Sequence, residues 1–244
     1  MRYLIDFSYN GSRFNGYQKQ NNKRTVQKEI ENVLTNINEK EVIIYASGRT
    51  DAHVNALHQK AHFDLSKNIT AYKLKGALNS YLPSDIYIND VKCVSDDFHA
   101  RYMVKSKTYE YLINIGTYNP LQKDYIYQYC KKLNIDKMKK AINYFIGTHD
   151  FTTFTSSEDK REDKVRSIFS AEINYDIMNN IIAITFCGKG FLKYQIRNMV
   201  GTLIKIGEEE IPYDIIPELI NAKDRKKAYL CAPAEGLTLK NVEY

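Results

Sequence analysis

The chain of 244 residues contains no tryptophan, no CxxC pair, no low-complexity linker and no apolar run that approaches membrane-spanning length. Each absence narrows what the protein is. A helical membrane span needs about 20 consecutive apolar residues, and none is present. No signal-like segment opens the sequence, so the expected location is the cytoplasm. The four cysteines, Cys93, Cys130, Cys187 and Cys231, are far apart. They read as free thiols of a reducing compartment rather than as a disulfide framework. His53, His58 and His62 cluster, but no cysteine stands near them and their spacing fits no common zinc pattern, so no metal is expected.

What is present is an ordinary globular composition, 43% hydrophobic and 26% charged, with enough chain to bury a substantial core. The net charge of +6 suits a polyanionic partner without identifying one. The 20 tyrosines offer rings that stack on bases, although most are expected in cores and strands.

In chain order, Arg2 to Tyr9 alternates as a strand, with Tyr3, Ile5, Phe7 and Tyr9 on one side. After a turn at Asn10-Gly11-Ser12, the segment Arg13 to Gln20 is aromatic, basic and amide-rich, a loop suited to nucleic acid. Thr25 is positioned to cap a helix with the stripe Val26, Ile30, Val33, Leu34 and Ile37. Val42 to Tyr45 reads as a buried strand, and His58 to Leu65 as another. Between these two lies GRTDAHVNA, in which Arg49 and Asp51, two apart, face the same way in extended backbone. On spacing alone a surface ion pair is the favoured reading, since such pairs are common. A helix with Tyr72, Leu74, Ala77 and Leu78 apolar follows, then a strand over residues 85–94. The element order of the first hundred residues is therefore strand, helix, strand, strand, helix, strand.

The second half carries a strand with Tyr109 and Tyr111 on one face, which pattern alone assigns to sheet packing. A helix follows, capped by Asp136 and closed at Gly147, with Met138, Ala141, Ile142, Phe145 and Ile146 inward. Ser156 to Lys164 is densely charged and reads as a solvated, mobile loop or as one that closes over RNA. Two strands meet near Met178-Asn179-Asn180. Next comes a helix with Ile196, Met199, Val200, Leu203 and Ile204 buried, ended by Gly207, with Arg197 at the edge of its stripe. Glu208-Glu209-Glu210 reads as a solvated turn, and residues 234–244 as a last strand. The whole is an α+β protein of two similar halves, 1–104 and 105–244, each a mixed or antiparallel sheet with helices on one face, with an active-site cleft expected between them.

Segments along the chain, in the family's order, resemble motifs of the TruA family of tRNA pseudouridine synthases. GRTDAHVNA matches the family's GRTDAGVHA at seven of nine positions, with His53 for a glycine and Asn55 for a histidine. Arg13 to Gln20 belongs to a YDGSxxxGWQxQ-like segment, with Tyr17 for the tryptophan. Ala100-Arg101-Tyr102 opens the segment that carries the family's stacking tyrosine, which falls at Tyr109. HDFTTF resembles HDFTSF, QIRNMVG resembles the family's VRNxVG, and the C-terminal AEGLTLKNVEY resembles AEGLxLxxVxY.

The resemblance implies an isomerase that converts uridine to pseudouridine at positions 38 to 40 of the tRNA anticodon stem-loop, with no cofactor or metal. It implies Asp51 as the catalytic residue, acting as nucleophile or as a base near the sugar, and Arg197 as its ionic partner. Tyr109 stacks on the flipped base and Leu237 lines the uridine pocket. Arg49, Arg13, Tyr17 and Gln18 bind the RNA. A homodimer sharing one tRNA is also implied. The departures at His53 and Asn55 leave open a paralogue acting on another structured RNA, such as ribosomal RNA, and a non-catalytic RNA-binding protein of the same fold. An aspartate-dependent hydrolase would need a second carboxylate beside Asp51, and Asp64 is the nearest that follows.

Overall fold

The computed structural model describes residues Met1 to Tyr244. They form two compact units. The first comprises Met1–Lys105 with Thr238–Tyr244, and the second Ser106–Leu237. Chain order assigns the closing strand to the second half, but most of that strand packs with the first.

In the first unit, β1 (Arg2–Tyr9) pairs antiparallel with both β3 (Asn55–Asp64) and β4 (Ile86–Val94). A two-residue β2 (Tyr45–Ala46) pairs with β3, and Thr238 and Leu239 of β10 (Leu237–Glu243) add in parallel to β3. The strict alternation of β1 puts Tyr3, Ile5, Phe7 and Tyr9 on its buried face, as the pattern predicts. Ile30 and Leu34 of α1 (Val26–Asn38) and Leu74 and Leu78 of α2 (Ala71–Tyr81) are buried with them. Each such side chain contributes about 1.5–3 kcal/mol by leaving water.

Three local expectations fail here for identifiable reasons. Val42 to Ile44 is not a strand. The Val42 N–H donates to Thr35 Oγ1 (3.1 Å) and the Ile44 N–H to Glu31 Oε1 (3.2 Å), so side chains of α1 take the donors a ladder would use. Thr25 occupies the position before α1, but its hydroxyl caps nothing. Instead the carbonyls of Gly16 and Tyr17 accept from the first N–H groups of the helix. Tyr72 is exposed, leaving Leu74 and Leu78 as the apolar face of α2.

The second unit is built on β5 (Ser106–Asn114), β9 (Ile181–Gly188), β8 (Val165–Asp176) and β7 (Gly147–Asp150), each antiparallel to the next. β6 (Tyr127–Gln128) adds in parallel to β5. The helices are α3 (Ile135–Ile142), α4 (Gln195–Gly207) and α5 (Ile216–Ala222). The predicted stripe of α4 is buried, and α3 packs on α4 and β8. The cap of α3 is Asn134, whose side chain accepts from the Lys137 N–H, while Asp136 sits within the first turn. α3 ends in a 3-10 turn before Gly147, and Ile146 is exposed, not inward. Glu208 is not a solvated charge. It accepts from the Tyr129 hydroxyl and pairs with Lys205 at 2.7 Å. No disulfide links the four cysteines, and no helix is long and apolar enough to cross a membrane.

The three clustered histidines go to different partners. His53 Nδ1 lies 2.9 Å from the Ser12 carbonyl and His58 Nδ1 3.0 Å from Asp6. His62 is buried, stacked on Tyr45, and its Nδ1 accepts from the Ala100 N–H at 3.1 Å. That bond requires the neutral ring. Burial, with His99 and Arg2 nearby, pushes the His62 pKa down to about 4 from 6.5. Because the unfolded chain binds the proton first, this neutral histidine contributes its full stability above pH 6.5 and loses it as the pH falls to about 4. Urea midpoints across that window are expected to show a loss of up to about 3 kcal/mol that the His62→Gln variant lacks.

Candidate functional site

The candidate residues divide between the units. In the first, the loop after β2 is held at nearly every position except Arg49. Gln59, fully buried, accepts from Ser47 Oγ (2.6 Å) and donates to the Gly48 carbonyl (3.1 Å). The buried hydroxyl of Tyr9, its pKa raised to about 12 by desolvation, bonds Thr50 Oγ1 at 2.7 Å. Tyr17 N–H donates to the Thr50 carbonyl (3.1 Å), His53 N–H to the Phe14 carbonyl (3.3 Å) and Val54 N–H to the Asp51 carbonyl (3.3 Å). Thr50 points into the core, while Arg49 is exposed and Asp51 half-buried on either side of it. Such a frame fixes the backbone on both sides of the carboxylate.

This frame also accounts for the two departures from the family signature. His53 has φ +66°, a left-handed conformation in which glycine is unstrained, and its ring offsets the cost by bonding Ser12. Asn55 is 6% exposed, and its Oδ1 accepts the Gly11 N–H at 2.7 Å, tying the signature to the loop after β1. In this structure both serve loop architecture. Gly16 is needed in the same place. Its φ is +90°, and a Cβ there would press on the Thr50 carbonyl oxygen and the Ala52 nitrogen at 3.1 and 3.2 Å.

The loop expected to touch RNA is only partly available. Arg13 is exposed. Tyr17, in contrast, is buried at 2% exposure, so its ring supports the loop from beneath and does not face a ligand. Gln18 Nε2 donates to Gln27 Oε1 at 2.7 Å. Asp64, the carboxylate a hydrolase would have to recruit, is bound by Arg2 through bonds of 3.0 and 2.8 Å.

In the second unit, Tyr109 lies on the buried face of β5, edge-on to Phe191 with ring centroids 5.4 Å apart. Arg197, in the first turn of α4, is half-buried. Its Nε donates to the Ala232 carbonyl at 2.7 Å, and its guanidinium stands 4.9 Å from the centre of the Tyr194 ring. The Ala232 N–H donates back to the Arg197 carbonyl at 3.0 Å. Tyr194 precedes the helix with φ +63°, a cost of roughly 1–3 kcal/mol of the kind stored at functional sites. Leu237 is 5% exposed, and its N–H donates to the Ala234 carbonyl at 3.0 Å. Tyr194, Phe191 and Ala232 were not singled out from the sequence. Only their adjacency to the motif residues hinted at them.

A family model described as "tRNA pseudouridine synthase" matches residues 7–103 and 141–244. Proteins named tRNA pseudouridine synthase A from Streptococcus agalactiae serotype Ia and Streptococcus gordonii are each 46% identical to this chain over 245 residues. The match covers all of this chain and 95% and 98% of theirs. One of the same name from Limosilactobacillus reuteri is 42% identical over 247 residues, covering all of this chain and 96% of that protein. With motifs in both units inside the matched residues and full-length relatives this similar, the chain belongs to the tRNA pseudouridine synthase family.

Proposed function

We propose that this protein isomerises uridine to pseudouridine in tRNA, at positions 38 to 40 of the anticodon stem-loop, with Asp51 as the nucleophile. The observation that carries the reading is the retention of the GRTD and RN motifs within a full-length match to proteins named for this reaction. The reaction breaks the N1–C1′ bond, turns the base and joins C5 to C1′. C5 gives up its hydrogen and N1 gains one, so the reaction needs no oxidant, reductant or second substrate.

The side chains suit these steps. Asp51 acts ionised, and a cation nearby keeps a carboxylate so. Arg197 is proposed as that partner, since Ala232 and Tyr194 fix its orientation. Tyr109 supplies a ring face for the extruded base, braced by Phe191, and Leu237 an apolar wall. Base extrusion costs a few kcal/mol, which stacking and phosphate contacts offset. Arg49 and Arg13, both exposed, are proposed to make such contacts, and Gln18 to add to them. The enzyme is proposed to work as a cytoplasmic homodimer.

The test is tritium release. A tRNA transcript carrying tritium at uridine C5 loses the label only where C5 forms the new bond. Release with the purified protein, stopping at the number of target uridines, supports the reading. RNA binding without release contradicts it and favours a non-catalytic RNA-binding protein.

A further inference from the structure

A groove of about 710 Å³ opens on the second unit, and its lining includes Lys164, Arg225, Lys226, the hydroxyl residues Ser156 and Ser157, and Tyr194. Two carboxylates also line it, and both are engaged. Glu158 is paired with Lys193 at 2.6 Å, and Asp224 accepts the Lys226 N–H at 2.9 Å. Lys164, Arg225 and Lys226 face Asp224 as the one lining carboxylate that is in no ion pair, so the groove carries an excess of positive charge.

Arg225 is held by a neutral group. Its terminal nitrogen donates to Asn198 Oδ1 at 3.1 Å. Asn198 is fully buried, and its Nδ2 donates to the Phe154 carbonyl at 2.7 Å, which fixes which end of the amide faces Arg225. An amide orients a guanidinium without cancelling its charge, whereas a carboxylate would do both. The remaining N–H groups of the planar fork stay available for an oxyanion, the ligand that geometry matches best. Asn198 follows Arg197 directly in α4, and Tyr194, which lines the groove, lies under the Arg197 guanidinium. The opening turn of α4 thus positions two arginines at once.

We infer that this groove is a subsite for a backbone phosphate of the RNA, bound by Arg225 with Lys164 and Lys226, and that Asn198 is the positioning residue that aims Arg225. The inference rests on the pseudouridine synthase reading for the identity of the polyanion. It gives the asparagine of the RN pair a role beside that of its arginine.

The experiment is steady-state kinetics and direct binding with a tRNA transcript, across a salt series, for the wild type, Arg225→Gln, Lys226→Gln and Asn198→Ala. Arg225→Gln is expected to raise the KM for RNA about tenfold, with the change in KM rather than kcat, and to reduce the salt slope of binding by about one. Lys226→Gln shifts both in the same direction by less. Asn198→Ala reproduces the Arg225→Gln effect, and the double variant is no worse than either single one. An unchanged KM and salt slope in Arg225→Gln overturns the inference, as does a fall confined to kcat. Should Asn198→Ala not fold, the Arg225 and Lys226 variants decide alone. The two readings fail separately. A wild type that binds RNA without making pseudouridine removes the proposed reaction, while the salt slope still reports on the subsite.

Discussion

Replacing Asp51 with asparagine is expected to lower tritium release from C5-labelled tRNA by at least roughly 10⁴-fold, the lower end of the range seen when one catalytic group is removed from an enzyme that keeps its binding groups. The amide preserves the shape of the side chain and removes its charge, so neither nucleophilic attack nor proton removal by this group survives. RNA affinity is expected to stay within a few-fold of wild type, because phosphate contacts dominate it. The loop should keep its backbone conformation. The loop is fixed by Gln59 on the Gly48 carbonyl, by Tyr9 on Thr50 and by the backbone of His53 and Val54, none of which uses the Asp51 carboxylate. A variant that retains a tenth of wild-type activity would show that another group carries the reaction.

The largest expected stability effect is at Gly201. It lies inside α4, where a Cβ would meet the Leu230 carbonyl oxygen at 1.7 Å and its carbon at 2.6 Å. Backbone cannot yield as a side-chain tip can, so Gly201→Ala must push the segment at Leu230 away from the helix. The cost is expected to exceed about 3 kcal/mol, against a helix-propensity gain of about 1 kcal/mol. Activity should fall too, since Ala232, two residues beyond Leu230, fixes the Nε of Arg197. Gly76→Ala is the control. Gly76 is an exposed residue of α2, a Cβ there meets nothing within 4 Å, and the substitution is expected to add roughly 0.5–1 kcal/mol. Urea unfolding of the two variants reads both effects.

Where a segment's periodicity is set by one buried face, the sequence alone located it. β1, the stripe of α1 and the stripe of α4 are such segments. Failures occur where a distant side chain competes with the backbone. Val42 to Ile44 has the composition of a strand, but Thr35 and Glu31 claim its donors, and nothing local to residues 42–45 records that. Asn134 and Asp136 are both good caps, and the choice between them depends on where the chain enters α3.

The candidate site follows the same division. Asp51, Arg197 and Tyr109 stand as candidates because motifs carry them. The packing of Phe191 on Tyr109, the Tyr194 ring under Arg197 and the Asn198–Arg225 bond are tertiary contacts that no spacing encodes. Tyr17 shows the opposite error. Its place in an aromatic, basic loop suggests a ligand contact, and the structure buries it. His53 and Asn55, which the signature alone marks as departures, have clear structural work in holding the loop to Ser12 and Gly11.

The most direct test of the account is pseudouridine mapping at single-nucleotide resolution in RNA from cells with and without this protein, complemented by the wild type or by Asp51→Ala. The account predicts that pseudouridine disappears from tRNA positions 38 to 40, returns with the wild type and stays absent with the variant. Loss at a ribosomal site with those tRNA positions intact would contradict the proposed substrate, and no loss at any site would contradict the proposed reaction.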